Sequence, residues 1–285
     1  MSNKINELTV TSADGTTIGY YQVGRGPGLV ISHGGMGSAY GHIQLAQALA
    51  DTCTVYLPDR RGRGMSGPYR PGHGIQQDVA DLEAVIAETG ARYLFGLSVG
   101  GTIALQAALT MPDVIDKLAV YDPGAFAAPT AWLARFEREL AAGRTAAALV
   151  TALKGAQMGP AFIRAMPRWL LTWGSEQGMR REERNGSGRY VPMRTLAPTL
   201  LQDVGALIEM EERLEDFRAM RAEVLLLGGS RSVPYQKASL AALERVLPRV
   251  RRVEFAGLGH GAPWNADRGG RPERLVQELR RFFAP

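Results

Sequence analysis

The feature that most constrains the fold is a regular alternation of short apolar runs with stretches of helical periodicity. The helical stretches lie between the runs, at residues 43–50, 75–88 and 100–109, and a last helix is predicted over residues 273–283. This alternation is typical of a mainly parallel sheet with helices on both faces. Strands are predicted at residues 28–32, 54–57, 93–97, 118–121, 224–227 and 250–255, and those at 28–32 and 54–57 are predicted to be buried.

Two further strands are predicted near the N-terminus, at residues 8–11 and 17–22, where they flank the turn signal Ala13-Asp14-Gly15. They bring the predicted sheet to eight strands. The stretch 125–222 contains no clear strand and is far too long for an ordinary crossover. We therefore predict an α/β core at residues 1–124 and 223–285, with a helical lid inserted at residues 125–222.

Composition excludes several classes of protein. The net charge of the 285 residues is +5, but basic and acidic residues alternate, as in Arg135-Phe136-Glu137-Arg138-Glu139, so we expect no nucleic-acid partner. The single cysteine, Cys53, allows neither a disulfide framework nor a cysteine-based zinc site. No apolar run reaches the ~18 residues of a membrane span, and the first residues lack a signal-peptide core. These features predict a cytoplasmic protein without membrane attachment.

The stretch Gly96-Leu97-Ser98-Val99-Gly100 joins a predicted strand to a predicted helix. Such a turn lifts the serine hydroxyl away from the backbone and points the helix N-terminus at it. Ser98 is therefore the candidate nucleophile, and the Val99 amide is a candidate donor to an oxyanion. The alternative is a structural serine at a tight turn.

A second glycine-rich stretch, Ser32-His33-Gly34-Gly35-Met36-Gly37, follows the strand at residues 28–32. Small residues let backbone N–H groups approach a substrate oxygen, so Gly35 is the predicted second oxyanion donor. We expect Gly34 and Met36 to lie against the substrate and His33 to be structural. The alternative is a glycine-rich turn without a catalytic part.

Of the four histidines, only His260 follows the last predicted strand, so it is the candidate general base. A satisfied surface histidine is the alternative. Trp264, four residues later, is expected to form a wall of the substrate pocket, and Trp169 in the predicted lid is a second lining candidate.

In order and spacing, four stretches resemble the α/β-hydrolase family: HGGMG at 33–37, DRRGRGMS at 59–66, GLSVGG at 96–101 and GLGH at 257–260. The resemblance covers nearly the whole chain and implies a lidded hydrolase with a serine, histidine and acid triad. The family usually places the acid after the seventh strand, where this chain has Ser232. Some members place it after the sixth strand, which here gives Asp122 as the candidate acid.

Asp122 has a structural alternative, because an aspartate before Pro-Gly is common in turns. Glu209 and Asp267 are more distant candidates for the acid. The aspartate and arginines of the 59–66 stretch are expected to hold neighbouring loops together.

These features predict a serine hydrolase, of carboxylesterase type, that cleaves a carboxylic ester or lactone of a small, largely apolar substrate through a Ser98 acyl-enzyme. Carbon–carbon bond or amide hydrolysis on the same triad, and a non-hydrolytic ligand-binding role, remain alternatives. No metal or organic cofactor is expected, and the predicted partner is a small-molecule substrate. The oligomeric state stays open, with a homodimer among the alternatives.

Overall fold

Eight strands form a single sheet in a computed structural model that describes residues 4–124, 126 and 129–284. Their order across the sheet is β1-β2-β4-β3-β5-β6-β7-β8. The strands are β1 Asn6–Thr11, β2 Thr17–Gly24, β3 Gly28–Ser32, β4 Thr54–Pro58, β5 Tyr93–Leu97, β6 Lys117–Tyr121, β7 Glu223–Gly229 and β8 Val250–Phe255.

Strand pairing is antiparallel only at one edge. β1 and β2 form the predicted hairpin, with Thr11 opposite Thr17, and β2 runs antiparallel to β4. From β4 through β8 every pair is parallel. The carboxyl ends of the parallel strands therefore meet along one edge of the sheet, which is where open α/β sheets place their ligand sites.

Helices cover both faces of the sheet, as predicted. On one face the buried residues of α2, α3 and α10 pack in a common apolar core, and on the other those of α1 and α11 do so. The central strands are buried on both sides and read as unbroken apolar runs for that reason. The helices are α1 Ile43–Leu49, α2 Ile75–Thr89, α3 Val99–Thr110, α4 Leu133–Ala141, α5 Thr145–Gly155, α6 Ala161–Ala165, α7 Arg168–Asn185, α8 Met193–Leu196, α9 Leu200–Glu209, α10 Pro234–Val246 and α11 Glu273–Phe283.

The segment between β6 and β7 is helical wherever the structure describes it with regular secondary structure, from α4 to α9 and a short 3₁₀ helix at Leu214–Ala219. Its first helices have a small core of their own around Phe136 and Ala148. Its last part differs, because Met210 and Phe217 are buried in the same core as α2 and α3. The division into core and lid at residues 125 and 222 stays a prediction, and residue 125 itself lies outside the described residues.

Within the described ranges, no helix combines the length and the apolar character needed to cross a bilayer.

Candidate active site

Ser98 occupies the turn between β5 and α3. Its backbone has φ 54° and ψ −127°, a conformation that residues other than glycine rarely adopt. The turn is held from both sides: the Ser98 N–H donates to the Tyr121 carbonyl at 3.0 Å, and the Ser98 carbonyl accepts from Gly101 at 2.8 Å. The half-buried Ser98 is thus presented at the carboxyl edge of the sheet by a rigid, strained turn.

The glycine-rich loop after β3 packs directly against this turn. A Cβ at Gly100 would lie 2.2 Å from the carbonyl oxygen of His33, so the two segments come this close only with glycine there. A Cβ at Gly34 would lie 3.2 Å from the Cβ of Ser98. The structure therefore brings Gly34, predicted to contact substrate, next to the candidate nucleophile.

The two predicted oxyanion donors lie on these same segments. Val99 is the first residue of α3, so its N–H is among those that a helix N-terminus leaves without an intrahelical partner. Gly35 follows Gly34 and faces α9, where a Cβ on it would lie 3.1 Å from Oδ2 of Asp203. Met36 continues the loop with φ 54°. The donor roles of Gly35 and Val99, and the substrate contact of Met36, stay predictions.

His33 stabilises the glycine-rich loop after β3 by buried hydrogen bonds. It is fully buried, and its Nε2 accepts the Arg60 N–H at 3.1 Å, so Nδ1 carries the proton and donates to the Gly34 carbonyl at 2.9 Å. Burial, together with the charges of Arg63 and Arg60, holds the pKa of His33 well below its usual range. His33 is therefore a neutral structural residue, as expected.

A buried ion cluster fastens α9 to the loop after β4. Arg60 donates to Oδ1 of Asp203 at 2.7 Å and pairs with Asp78 of α2 at 3.3 Å, while Arg63 pairs with Asp203 at 3.1 Å. Burial raises the pKa of Asp203, but the charges of Arg63 and Arg60 outweigh it and lower that pKa to about 2. Asp203 went unpredicted, because it lies some 140 residues from its partners and the sequence around it carries no local signal.

His260, in the loop after β8, and Asp122, directly after β6, come together at the carboxyl edge of the sheet. Asp122 follows β6 and is completely buried, and its Oδ2 lies 3.4 Å from Nδ1 of His260. The Asp122 N–H donates to the Leu227 carbonyl at 2.9 Å, which fixes it against β7. The Tyr121 hydroxyl donates to the Gly259 carbonyl at 3.0 Å and so holds the loop that carries His260.

Ser232 and Gln236, which follow β7, make further polar contacts with Asp122 and His260. The Ser232 hydroxyl donates to Oδ2 of Asp122 at 2.5 Å and accepts the Gly229 N–H at 3.1 Å. Nε2 of Gln236 lies 2.8 Å from Nδ1 of His260. Gln236 was missed in the sequence, although a proline at the first helical position with glutamine two residues later is a recognisable helix-start pattern.

The other candidate acids lie elsewhere. Glu209 accepts the Ile75 N–H at 3.2 Å, and Asp267 accepts the Tyr190 hydroxyl proton at 2.8 Å. Of the three carboxylates considered, the structure brings Asp122 to His260.

The two predicted pocket tryptophans differ in their surroundings. The Trp264 ring stands edge-on to His260, with ring centroids 6.5 Å apart. Trp169 is 72% exposed on α7, so its place in a substrate pocket stays a prediction. A cavity of about 350 Å³ lies between Tyr21, Tyr40, Met65 and residues of the segment from Arg189 to Thr195.

Across residues 4–124, 126 and 129–284, no group of three or more His, Cys, Asp and Glu side chains is arranged to hold a metal ion.

Known proteins resemble this chain over nearly its full length. A model of the alpha/beta hydrolase family matches residues 29–278. The pimeloyl-[acyl-carrier protein] methyl ester esterase of Xanthomonas axonopodis pv. citri is 26% identical over 264 residues, which is 92% of this chain and 97% of that protein.

Two solved structures show the same fold. An alpha/beta hydrolase from Sphaerobacter thermophilus superposes with a TM-score of 0.78 at 26% identity, over 97% of this chain and all of that one. An esterase from Rhodococcus sp. superposes with a TM-score of 0.65 at 22% identity, over 97% of this chain and 98% of that one. The predicted fold and the family resemblance are thereby confirmed.

Proposed function

The chain belongs to the alpha/beta hydrolase family, and we propose that it is a serine hydrolase that cleaves a carboxylic ester or lactone through an acyl-enzyme on Ser98. Esterase-named relatives and the shared fold support a hydrolase of the carboxylesterase kind. The proposal adds the nucleophile, its partners and the substrate class.

One observation carries the proposal: a strained serine turn lies at the end of one strand, and a histidine–carboxylate pair includes the aspartate at the end of the adjacent strand. Ser98 follows β5, Asp122 follows the neighbouring β6, and His260 pairs with Asp122 at 3.4 Å. A structural serine gains nothing from a conformation that costs about 1–3 kcal/mol, whereas a nucleophile gains exposure and a helix N-terminus beside it.

The proposed reaction follows from these positions. His260 takes the proton of the Ser98 hydroxyl, and the oxygen attacks the ester carbonyl. The amides of Gly35 and Val99 donate to the oxyanion, each worth ~10²–10³ in rate. His260 then protonates the leaving alcohol, and water activated by the same imidazole releases the acid from Ser98. The buried Asp122 orients the imidazole and stabilises its charged form.

The substrate class rests on the surroundings of the site and on the relatives. Trp264 beside His260 offers an aromatic wall. Small-molecule sites are mostly lined by apolar side chains, which favours a small apolar acyl or alcohol group. The Xanthomonas relative is a methyl ester esterase, which favours an ester over a carbon–carbon or amide bond in this chain as well.

The test is hydrolysis of p-nitrophenyl acetate, butyrate and octanoate, with matched p-nitroanilides to compare amide cleavage. We expect ester turnover by the wild type and a loss of at least ~10⁴-fold in kcat for Ser98→Ala. Ser175→Ala, on helix α7 of the predicted lid, is the matched serine control and should behave as wild type. A wild type inert on every ester, or an active Ser98→Ala, would overturn the proposal.

A further inference from the structure

Nδ1 of His260 has two polar neighbours, one a hydrogen-bond donor and the other an acceptor. Nε2 of Gln236 lies at 2.8 Å and Oδ2 of Asp122 at 3.4 Å. A carboxylate oxygen accepts a proton from Nδ1, whereas a carboxamide nitrogen only donates one to it. A neutral imidazole satisfies one of these neighbours at a time, and the closer one is the amide.

The orientation of the Gln236 amide follows from its other contact. Gln236 lies at the third position of α10, and its Oε1 accepts the Val233 N–H at 3.2 Å, which closes the capping box of that helix. With Oε1 engaged there, the NH₂ group faces His260. Gln236 is almost completely buried, so turning the amide over would leave the Val233 N–H facing a second donor.

The donor at Nδ1 decides the tautomer of the imidazole. When Nδ1 accepts, the single proton of the neutral ring sits on Nε2, the nitrogen that has to take the Ser98 proton. A protease triad whose carboxylate was replaced by an amide illustrates the result: the wrong tautomer lowers kcat by ~10⁴.

Asp122 competes for Nδ1, but the hydrogen bond that its Oδ2 can accept from Nδ1 is weakened by a second donor. The Ser232 hydroxyl donates to Oδ2, the same oxygen that faces His260, at 2.5 Å. Because the two donors share one acceptor oxygen, the hydrogen bond from the Ser232 hydroxyl weakens a hydrogen bond from Nδ1–H to the same oxygen.

We propose that Gln236 is a positioning residue that competes with Asp122 for Nδ1 of His260. In the resting enzyme Nδ1 accepts from Gln236 and the imidazole proton lies on Nε2. The imidazole can accept the Ser98 proton only when its own proton lies on Nδ1 and is donated to Asp122. This inference rests on the proposed function for its catalytic meaning. The tautomer itself is a property of the folded protein and is measured without turnover.

The direct test is the ¹H–¹⁵N correlation spectrum of the histidine rings, recorded at a pH where His260 is neutral and assigned by comparison with His260→Ala. We expect an unprotonated Nδ1 and a protonated Nε2 in the wild type. Gln236→Met removes the donor and keeps the volume, and should move the proton to Nδ1, facing Asp122.

Gln77→Met is the matched control, because Gln77 closes the capping box of α2 by accepting the Gly74 N–H at 2.9 Å. It loses the same kind of helix contact as Gln236→Met and should leave the His260 spectrum as in the wild type. A wild-type His260 with its proton on Nδ1 would overturn the proposal, even if Gln236→Met fails to fold.

Kinetics separate positioning from a merely structural role. One hydrogen bond biases the tautomers by about twofold to tenfold, so Gln236→Met should raise kcat on p-nitrophenyl butyrate by that factor with KM unchanged. A fall in kcat in the folded variant would contradict the inference. Turnover that survives in Ser98→Ala would instead defeat the proposed function and leave the tautomer result standing.

Discussion

The carboxylate of Asp122 has few partners for a group buried this completely. Ser232 donates to one of its oxygens and His260 faces the same oxygen, whereas Oδ1 has no hydrogen-bond partner among the described residues. A buried carboxylate is costly unless its charge is used or paired. Stabilising an imidazolium that forms during the reaction is a use that matches this place, since the charge of His260 would complete the pairing.

Asp122→Asn therefore removes a charge that the proposed reaction needs and little else. We expect kcat for p-nitrophenyl butyrate to fall by ~10⁴, because a neutral amide neither stabilises the imidazolium nor selects the productive tautomer. Asp267→Asn is the matched control, since Asp267 accepts from Tyr190 away from His260, and it should keep wild-type kcat. Equal activities of the two variants would show that Asp122 is a structural aspartate.

At the scale of elements, the site depends on a helix that comes from the inserted segment. α9 places Asp203 against Gly35 of the loop after β3, and Arg60 and Arg63 hold it there from the loop after β4. Both partners of these pairs are almost fully buried. Such pairs are often neutral in net stability, but removing one partner strands the other charge in the interior.

Asp203→Asn should accordingly lower the free energy of unfolding by about 3–5 kcal/mol. Asp116→Asn makes the same chemical change in an exposed pair with Arg92, where the expected loss is about 0–1 kcal/mol. Urea denaturation of both variants measures the difference. Similar losses in the two would mean that the buried cluster does not hold α9 in place.

At the scale of the whole molecule, two buried neutral histidines make stability depend on pH. Burial lowers the pKa of His42 to about 4, against the opposing hydrogen bond to the Pro263 carbonyl, and the pKa of His33 is lower than usual for similar reasons. In the unfolded chain both titrate near the usual ~6.5. The unfolded state therefore takes up protons first as the pH falls, and stability is lost in that direction.

We expect the histidine contribution to the free energy of unfolding to be constant above pH ~6.5 and to fall between pH ~6.5 and ~4. His42 accounts for a loss of about 3 kcal/mol over that range. Asp203, with its pKa near 2, would add a further loss only below pH ~4. Urea titrations across this range, with His42→Gln as the comparison, measure the slope. An unchanged slope in His42→Gln would contradict the assignment to His42.

Local sequence was sufficient for most of the sheet. The strands at residues 28–32 and 93–97 have the bounds that their apolar runs predicted, because burial on both faces selects a run that needs no distant partner to be recognised. The turn at Ser98 was likewise predictable from local sequence, namely the five residues from Gly96 to Gly100. The family resemblance, in turn, pointed to Asp122 once Ser232 stood at the usual acid position.

What the sequence could not give are contacts between distant segments. Asp203 and Gln236 act on residues that lie 140 and 24 positions away, and a single chain carries no signal for such pairs. The predicted lid illustrates the same limit, because the exposure of Trp169 depends on how short helices pack, not on their apolar content.

The most direct test of Ser98 as the nucleophile is covalent labelling with a fluorophosphonate, read by intact mass and then by peptide mapping. We expect one adduct per chain on Ser98, slower labelling of Asp122→Asn, and no labelling of Ser98→Ala. A folded wild type that takes no label, or an adduct that persists in Ser98→Ala, would contradict a nucleophilic role for Ser98.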